Sequence, residues 1–476
     1  MQTPPKIVII GAGSAIFGLG ALVRIIQSKR LRGAELALVD IDEPNLRTMT
    51  TVAEKMNAAW GAEMTITCST DRREVLPKAD FVVVSVQVGQ RETVWEQDWR
   101  IPLRHGVRQP YAENGGPGSF MNAGRNLPVI LGIARDMEDL CPHAWYINVT
   151  NPLIRLTYAV HRYTNIKALG LCHQLLWGYA MAGAVLADRW GITVPPDFNV
   201  HTDADNMPHF IPVAMAALEH IDIKAAGINH FSWVYDIRDK ATGEDLYPEL
   251  RDRWFNHFRK DFEPLTRELF QIFGMMPTAG DSHVCEYLAY THDPITKPWE
   301  KYDLRLQSWE GNRRRRARRW EIAHAIVDGS MDLETLRDLP RHQILEEPIP
   351  EIIESLTFNI RYYNHQLNIP NRGGLIPNLP HDAIVEVPGM VSGIGIQGLG
   401  FPPLPEPIAE LCRRELSRSQ IAVEALATGD RDLCLQALLL DPMITDIDTA
   451  RAILDDFLTE FAPYLPQFAH DKEFVI

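Results

Sequence analysis

The sequence lacks three features that would each indicate a different class of protein. No apolar run approaches the roughly 20 residues that span a bilayer, so we expect no membrane as a partner. The N-terminal segment has no charged start followed by an apolar stretch, and a signal peptide is therefore not predicted. The six cysteines are scattered without a CxxC pair, which in a chain of 476 residues argues against a disulfide framework and favours a cytoplasmic protein.

Positive charge is also in short supply. The formal net charge is -15 at pH 7, and this acidic surplus disfavours nucleic acid as the main partner, because phosphate contacts need a basic surface. The exception is the run RRRRARR at residues 313–319. We interpret it as a solvated or subunit-interface face of a helix, with nucleic-acid binding as the alternative.

What the chain does contain is an alternation of strand and helix patterns over its first 175 residues. Short, β-branched, apolar runs are typical of strands buried on both faces of a parallel sheet. With helical stretches between them they predict an α/β fold, with a doubly wound, Rossmann-like parallel sheet. The predicted strands are 6–11, 35–41, 80–86, 145–149 and 167–172.

The second half of the chain has a different pattern. Residues 208–239 are predicted to form antiparallel strands, and the Pro/Gly-rich stretch 368–403 to hold one short strand, AIVEVP. The last 70 residues have the pattern of two amphipathic helices. We therefore predict a Rossmann-like domain over residues 1–200 and a mixed α+β domain over residues 201–476.

A glycine turn after the first predicted strand indicates a dinucleotide site. Gly11 and Gly13 follow IVII directly and Ser14 opens the helix, although Ile16 occupies the third glycine position of G-x-G-x-x-G. Asp40 ends the second strand, where an acid bonds the adenine ribose and disfavours the 2′-phosphate of NADP. These residues predict NAD binding, and the alternative is a glycine turn that holds no nucleotide.

Cys172 and His173 stand side by side where the apolar run LGL ends. Open α/β folds bind ligands at the carboxyl ends of their parallel strands. His230, in the segment GINHFSW, is the best partner for Cys172, since one Cys and one His leave coordination positions open for a substrate. The alternative is that both side chains pack in the core, where isolated Cys and His residues are common.

The whole chain resembles glycoside hydrolase family 4, the NAD-dependent glycosidases that do not use the two-carboxylate mechanism. The resemblance extends from the glycine turn to the late segments VEVPGMV and ALLLDP. The residues that carry it are Gly11, Gly13, Ser14, Phe17, Asp40, Gln87, Gly89, the segment GPGSFMNAGRNLP (116–128), Asn151, Pro152, Cys172, His173, Asn229, His230 and Asp281.

The resemblance implies a hydrolase that uses redox chemistry. Cys172, as a thiolate, and His230 would bind Mn²⁺ or another divalent metal, and the metal would hold the sugar's O2 and O3. NAD⁺, held also by Phe17, Gln87 and Gly89, would take the hydride from C3 of the sugar. The resulting ketone would acidify the C2 proton, its removal would expel the leaving group from C1, and water addition followed by the reverse steps would regenerate NAD⁺.

The resemblance also suggests which residues transfer protons during the reaction. Asp281 matches the base of members that act on unphosphorylated α-glycosides, and His173 would assist the leaving group. Tyr287 is the rival for the base, since members that act on 6-phosphosugars use a tyrosine. The alternative for Tyr287 is core packing with its hydroxyl group on a backbone carbonyl.

Three further residues are expected at the sugar. By the same resemblance, Asn151, Asn229 and Arg125 would contact the substrate, an unphosphorylated α-hexoside or α-hexuronide. A helix-capping or interdomain ion pair is the alternative for Arg125. Family members are commonly homodimers or homotetramers, and we expect the same here.

The sequence departs from the family pattern in two places. The stretch between Cys172 and His230 is longer than the resemblance leads us to expect, and Asn122 stands where related members often carry an arginine. Two competing hypotheses remain: an NAD-dependent dehydrogenase of a small hydroxy acid or sugar, and a non-enzymatic NAD-binding protein. The first would accumulate NADH, and the second would not need Cys172, His230 and Asp281 to converge.

Overall fold

The computed structural model describes residues 3–201, 206–337 and 347–469. Within these ranges, no helix combines the length and apolar character needed to cross a membrane. All six cysteines fall inside them, and each is a free thiol.

The first half of the chain forms six parallel strands in the spatial order β3-β2-β1-β4-β5-β6. This is the strand order of a doubly wound dinucleotide-binding sheet, and it confirms the predicted fold class. The third strand was missed in the sequence, because the segment TITCS has mostly exposed or half-buried side chains and no apolar run. The strands are β1 (Lys6–Ile10), β2 (Glu35–Val39), β3 (Thr65–Ser69), β4 (Phe81–Val84), β5 (Trp145–Asn148) and β6 (Lys167–Gly170).

Helices cover both faces of this sheet. Asp42 starts the second helix by accepting a hydrogen bond from the Asn45 amide, and Gly61 ends it in the left-handed conformation. The helices are α1 (Phe17–Ile26), α2 (Glu43–Trp60), α3 (Arg72–Val75), α4 (Arg91–Arg104), α5 (Gly116–Leu140), α6 (Leu153–Tyr163) and α7 (Leu175–Val185).

The second half adds antiparallel strands to the same sheet. β6 pairs with β9 through Gly170 and Asn368, and the order continues β9-β10-β7-β8, with β11 beside β10. One sheet thus runs through both predicted domains. The boundary at residue 200 between a Rossmann-like and an α+β domain stays a prediction. The added strands are β7 (Ile221–Ile228), β8 (Phe231–Asp239), β9 (Tyr362–Pro370), β10 (Ile384–Ser392) and β11 (Gly395–Gly398).

Two details of the second half were predicted wrongly. The start of the 208–239 segment belongs to a helix, since the apolar run FIPVAMAAL fits a buried helix as well as a strand. The end of the chain forms three helices rather than two. The helices are α8 (Met207–His220), α9 (Tyr247–Asp252), α10 (Pro264–Phe273), α11 (Asp281–Val284), α12 (Pro298–Lys301), α13 (Trp309–Asp328), α14 (Leu333–Arg337), α15 (Ile349–Phe358), α16 (Glu406–Thr428), α17 (Arg431–Leu439) and α18 (Ile447–Glu460).

The apolar core lies on both faces of the sheet. One cluster joins α1 and α2 to α15, α16 and the antiparallel strands, and another joins α5 and α6 to the C-terminal helices. A third cluster packs α7 against α8 and β7. The C-terminal helices therefore complete the cover of the N-terminal sheet, which fixes its carboxyl edge relative to the second half of the chain.

Candidate active site

The glycine turn follows β1 at the carboxyl edge of the sheet. Gly11 has φ +92°, and a Cβ there would overlap the carbonyl oxygen of Ser85. A Cβ on Gly13 would lie 2.8 Å from the carboxylate of Asp40. Both positions therefore require glycine, and the backbone is left open to a close approach. This is the cradle that a pyrophosphate needs.

Asp40 stands directly beside this turn. Its Oδ2 accepts a hydrogen bond from the Gly13 amide at 2.8 Å, and its Oδ1 accepts one from the Asp42 amide. The helix begins at Phe17 rather than at Ser14, whose Oγ accepts from the Phe17 amide at 3.5 Å.

Gly18, the second residue of α1, explains how the helix tolerates an isoleucine at the third fingerprint position. A Cβ on Gly18 would lie 2.6 Å from the carbonyl oxygen of Ala12. Close packing of the helix on the strand, the usual task of the third glycine, is thus supplied by Gly18. The residues present fit a dinucleotide.

The loop after β4 forms the next part of the same edge. Gly89 has φ +81°, and the Val88 amide donates to Asn126 Oδ1 at 2.9 Å. Gln87 Nε2 donates to Asn122 Oδ1 at 3.4 Å. The predicted residues Gln87 and Gly89 thus lie against the start of α5, and Asn122 links the two segments.

Cys172 and His230 meet at this edge, although they are far apart in sequence. Cys172 follows β6 by two residues, and His230 sits in the tight turn between β7 and β8 with φ +63°. The Sγ of Cys172 lies 3.3 Å from Nε2 of His230. A left-handed conformation is uncommon for histidine, and here it turns the ring toward the thiol.

Three further side chains surround His230, and none of them was predicted from the sequence. Asn114 Nδ2 lies 2.9 Å from His230 Nδ1, and Glu113 Oε2 lies 3.9 Å from the same nitrogen. The ring centres of His230 and His283 are 4.4 Å apart. Glu113, His230 and His283 can each offer a ligand atom within 4.8 Å of the others.

The donor set fits a divalent metal. Two imidazoles and a carboxylate suit a divalent transition metal, and the Cys172 thiol lies beside one of these imidazoles, that of His230. Nδ1 of His283 and Oδ1 of Asn229 are buried and have no hydrogen-bond partner in the described part of the chain. Buried polar atoms without partners are costly, so these two favour a bound group at this place.

Burial controls the protonation of the site. Burial lowers the pKa of His230 well below its usual range and lowers that of His283 to about 3, so both imidazoles are neutral. Burial and the charge of Glu386 raise the pKa of Cys172 well above its usual range. Burial also raises the pKa of Glu113, while Arg91 and a hydrogen bond from Asn151 oppose that rise. A thiolate here needs a cation beside it.

The predicted substrate residues divide into two groups. Asn151 bonds Glu113 and lies at the site, and Asn229 donates to Glu386 Oε2 at 2.8 Å, which fixes the turn that carries His230. Arg125 is instead buried in an ion pair with Asp98 and lies over the ring of Phe461. This ion pair lies inside the predicted N-terminal domain rather than between domains, and the Arg125 side chain has no exposed surface through which to reach a substrate.

His173 is the predicted proton donor that remains open to solvent. Its side chain is 29% exposed, and its Nδ1 lies 3.0 Å from Glu347 Oε1. The ring stacks on Trp177. Glu347, which the sequence did not single out, thus orients an imidazole at the rim of the site.

The two candidates for the base have other contacts. Asp281 is fully buried, and its oxygens accept hydrogen bonds from the amides of Leu265 and Thr266 at the start of α10. Tyr287 donates its hydroxyl to the carbonyl of Asn229 at 3.2 Å, as the packing alternative predicted. None of these hydrogen bonds of Asp281 and Tyr287 is made to Cys172 or His230.

A buried carboxylate holds the segment that carries Glu113 and Asn114. Glu286 accepts hydrogen bonds from the amides of Tyr111 and Ala112 with Oε1 and from Gly115 with Oε2. The only signal in the sequence for Glu113 was an acid just before a glycine-rich helix start. The only signal in the sequence for His283 was its position two residues after Asp281.

Comparison with known proteins identifies the family to which the chain is similar. The family model described as family 4 glycosyl hydrolase matches residues 6–183, and the model of its C-terminal domain matches residues 225–444. An α-galactosidase of Bacillus subtilis (strain 168) is 30% identical over 97% of this chain and 99% of its own. An α-glucosidase of Erwinia rhapontici is 28% identical over 97% of this chain and 98% of its own.

A solved structure shares the fold. It is a 6-phospho-α-glucosidase from gut microorganisms in complex with NAD and Mn²⁺, and it aligns with a TM-score of 0.75 at 18% identity over 98% of this chain and 100% of its own. The family models match most of the chain, from the nucleotide edge to the C-terminal helices. The chain therefore belongs to family 4 of the glycosyl hydrolases.

Proposed function

We propose that this glycosidase hydrolyses an unphosphorylated α-glycoside, either a hexoside or a hexuronide, with NAD⁺ and a divalent metal such as Mn²⁺. The observation that carries the proposal is the 3.3 Å approach of Cys172 Sγ to His230 Nε2 at the sheet edge that also holds the Gly11–Gly13 turn. The α-galactosidase and α-glucosidase relatives support the substrate class. The solved neighbour with NAD and Mn²⁺ supports the cofactors.

The reaction class is oxidation at C3, removal of the C2 proton, elimination of the C1 substituent and addition of water. When bound, NAD⁺ supplies a hydride acceptor that is regenerated, and the metal supplies an electrophile for the sugar's hydroxyl groups. Cys172 and His230 would hold the metal, and Asn114 fixes the ring of His230 by its contact with Nδ1. Asn151 orients Glu113 at the site.

The proton at C2 needs a base in contact with the sugar. Asp281 stays our proposal for that base, and Glu113 is the carboxyl group that lies beside His230. Substitution of each by its amide distinguishes them. Loss of C2 exchange in Asp281→Asn with normal metal binding supports Asp281, whereas the same result in Glu113→Gln alone would transfer the role to Glu113.

On the leaving-group side of the glycosidic bond, His173 protonates the departing oxygen. Its ring is held between Glu347 and Trp177 and keeps an exposed edge toward the solvent side of the site. An imidazole oriented by a carboxylate is a common proton donor to a leaving group.

The experiment is hydrolysis of a panel of p-nitrophenyl glycosides: α and β anomers of neutral hexosides, hexuronides and 6-phosphates. Each assay is run with NAD⁺, Mn²⁺ and a reductant, and then with one of them omitted. We expect release from an unphosphorylated α-glycoside only when all three are present. A substrate deuterated at C2 should lose its label to water. Product that retains all the deuterium, or activity unaffected by EDTA, would overturn the elimination mechanism.

A further inference from the structure

The two residues of the metal site are carried by different halves of the sheet. Cys172 follows β6, the last parallel strand, and His230 follows β7, an antiparallel strand. β9 and β10 lie between β6 and β7 in the sheet. The 3.3 Å approach of the Cys172 thiol to the His230 ring therefore depends on how these four strands are aligned.

One row of paired residues crosses all four strands. Gly170 of β6 pairs with Asn368 of β9. Asn368 also pairs with Glu386 of β10, and Glu386 pairs with Gly227 of β7. In the described part of the chain, β6 and β9 share no other register pair, and neither do β10 and β7. This row thus joins the strand that leads to the metal-site cysteine to the strand that leads to the metal-site histidine.

Glu386 is the charged residue in this row, and its carboxyl group accepts three hydrogen bonds from side chains. Its Oε2 accepts from Asn229 Nδ2 at 2.8 Å and from Asn368 Nδ2 at 3.1 Å. Its Oε1 accepts from Ser232 Oγ at 3.0 Å. Asn229 and Ser232 stand on either side of His230 in the chain, so two of the three bonds hold the turn that carries this histidine.

The same hydrogen bonds extend to the segment of Cys172. Burial and the charge of Glu386 raise the pKa of the Cys172 thiol, and a hydrogen bond from Asn229 opposes that rise. Asn229 thus contacts both the thiol and the carboxyl group of Glu386. On β9, Gln366 donates to the carbonyl of Cys172 and accepts from the Leu175 amide at 2.7 Å. Side chains of β9 and β10 therefore hold both segments of the metal site.

We propose that Glu386 is a positioning residue of the metal site, and that its hydrogen bonds rather than its charge hold the His230 turn against the Cys172 segment. This inference rests on the proposed metal-dependent function. Glutamine at this position keeps all three bonds, because its carbonyl oxygen accepts from the two asparagines and its NH₂ group donates to the Ser232 hydroxyl. Alanine keeps none of them, so the two substitutions separate geometry from charge.

The test measures Mn²⁺ affinity by equilibrium dialysis. Glu386→Ala should weaken Mn²⁺ binding by about 10- to 100-fold, the usual effect of losing an outer-shell partner. Glu386→Gln should bind Mn²⁺ nearly as the wild type does. The matched control is Asn371→Ala, since Asn371 is equally buried but bonds the backbone carbonyls of Ile376 and Leu379. This control should lower stability and leave Mn²⁺ affinity unchanged.

A spectroscopic measurement reports the geometry directly. Co²⁺ bound to a thiolate gives a charge-transfer absorption band that requires the Co–S bond. At saturating Co²⁺, Glu386→Gln and Asn371→Ala should show the band of the wild type. Glu386→Ala should show a weaker band, because the Cys172 segment and the His230 turn are no longer held together.

Asn368→Ala keeps the inference testable if Glu386→Ala does not fold, because it removes one of the three bonds. It should weaken Mn²⁺ binding in the same direction by a smaller factor. Equal losses in Glu386→Gln and Glu386→Ala would assign the effect to charge. That result, or wild-type affinity in both Glu386→Ala and Asn368→Ala, would overturn the inference and leave the proposed function intact. A wild type that binds no Mn²⁺ would overturn both.

Discussion

At the residue scale, the thiol of Cys172 is the group most dependent on a neighbouring cation. Burial and the charge of Glu386 both keep it protonated, and only a metal makes the thiolate stable there. Cys172→Ser should therefore weaken Mn²⁺ binding by at least about tenfold, comparable to the effect of losing a supporting ligand. Equilibrium dialysis with metal analysis measures this directly.

The control for that substitution is Cys68→Ser, at an exposed thiol on the outer strand β3. It should leave both metal affinity and activity unchanged. Mn²⁺ affinity that is equal in Cys172→Ser and the wild type would remove Cys172 from the metal site. Air oxidation should likewise abolish the activity of the wild type. A thiol reductant together with Mn²⁺ should restore it.

Buried histidines make the stability of the protein depend on pH. Burial lowers the pKa of His283 to about 3 and those of His161 and His292 to about 4. Between these values and the ordinary pKa of about 6.5, the unfolded chain binds more protons than the folded one. The free energy of unfolding therefore falls as pH drops below about 6.5, by up to about 1.4 kcal/mol per pH unit for each such histidine.

His161→Gln isolates one of these contributions outside the site. His161 Nε2 donates to the carbonyl of Ala168 at 2.9 Å, and glutamine offers an N–H for the same bond without a titrating group. Denaturant unfolding at pH 7 and pH 5 should show a shallower loss of stability in the variant. An identical pH dependence in both proteins would mean that folding does not change the pKa of His161.

At the element scale, the β1–α1 turn is shaped by contacts that only glycine permits. Gly13→Ala would push a methyl group against Asp40, which also binds the Gly13 amide. We expect NAD⁺ affinity to fall about tenfold or more, equal to about 1.4 kcal/mol. Titration calorimetry provides the measurement, and Gly400→Ala is the control, since nothing lies within 4 Å of a Cβ there. Unchanged NAD⁺ affinity in Gly13→Ala would place the nucleotide elsewhere.

The segment 111–115 is the second element whose backbone depends on one side chain. Glu286 accepts from three of its amides, and burial raises the pKa of Glu286 to about 8, so Glu286→Ala, which removes both oxygens whatever their protonation, leaves these amides without acceptors. We expect faster hydrogen exchange over 111–115 and about tenfold weaker Mn²⁺ binding, because Glu113 and Asn114 lose their support. Faster exchange with normal metal affinity would show that this segment does not position the metal site.

At the scale of the whole molecule, a buried network of charges joins the C-terminal helices to the N-terminal half. Arg418 of α16 pairs with Glu415 and Asp441, and Glu415 also pairs with Arg155 of α6. All four side chains are almost completely buried. Removing one of the two acids leaves a buried arginine whose positive charge is only partly neutralised.

Asp441→Asn should therefore lower the free energy of unfolding by about 3–5 kcal/mol. Asp455→Asn is the control, because the pair between Arg431 and Asp455 is exposed and should change stability by less than about 0.5 kcal/mol. Guanidinium unfolding curves distinguish the two. Equal stabilities of the two variants would mean that Arg418 finds compensation elsewhere, through Glu415 or solvent.

The sequence by itself determined the parallel half of the sheet and the nucleotide turn. Buried parallel strands need β-branched apolar residues throughout, and a backbone turn with φ +92° needs glycine, so both leave local patterns. The same local signal failed for β3, whose side chains are mostly exposed or half-buried, and for α8, whose apolar residues have no clear period.

Only the tertiary structure decided which polar side chains share a site. It brings Cys172 within 3.3 Å of His230 and adds Glu113 and Asn114 from one further segment and His283 from another. It also commits Arg125 to Asp98 and both oxygens of Asp281 to the start of α10. The role of a charged or polar group depends on its partners in space, and these partners lie in distant parts of the chain that no local pattern records.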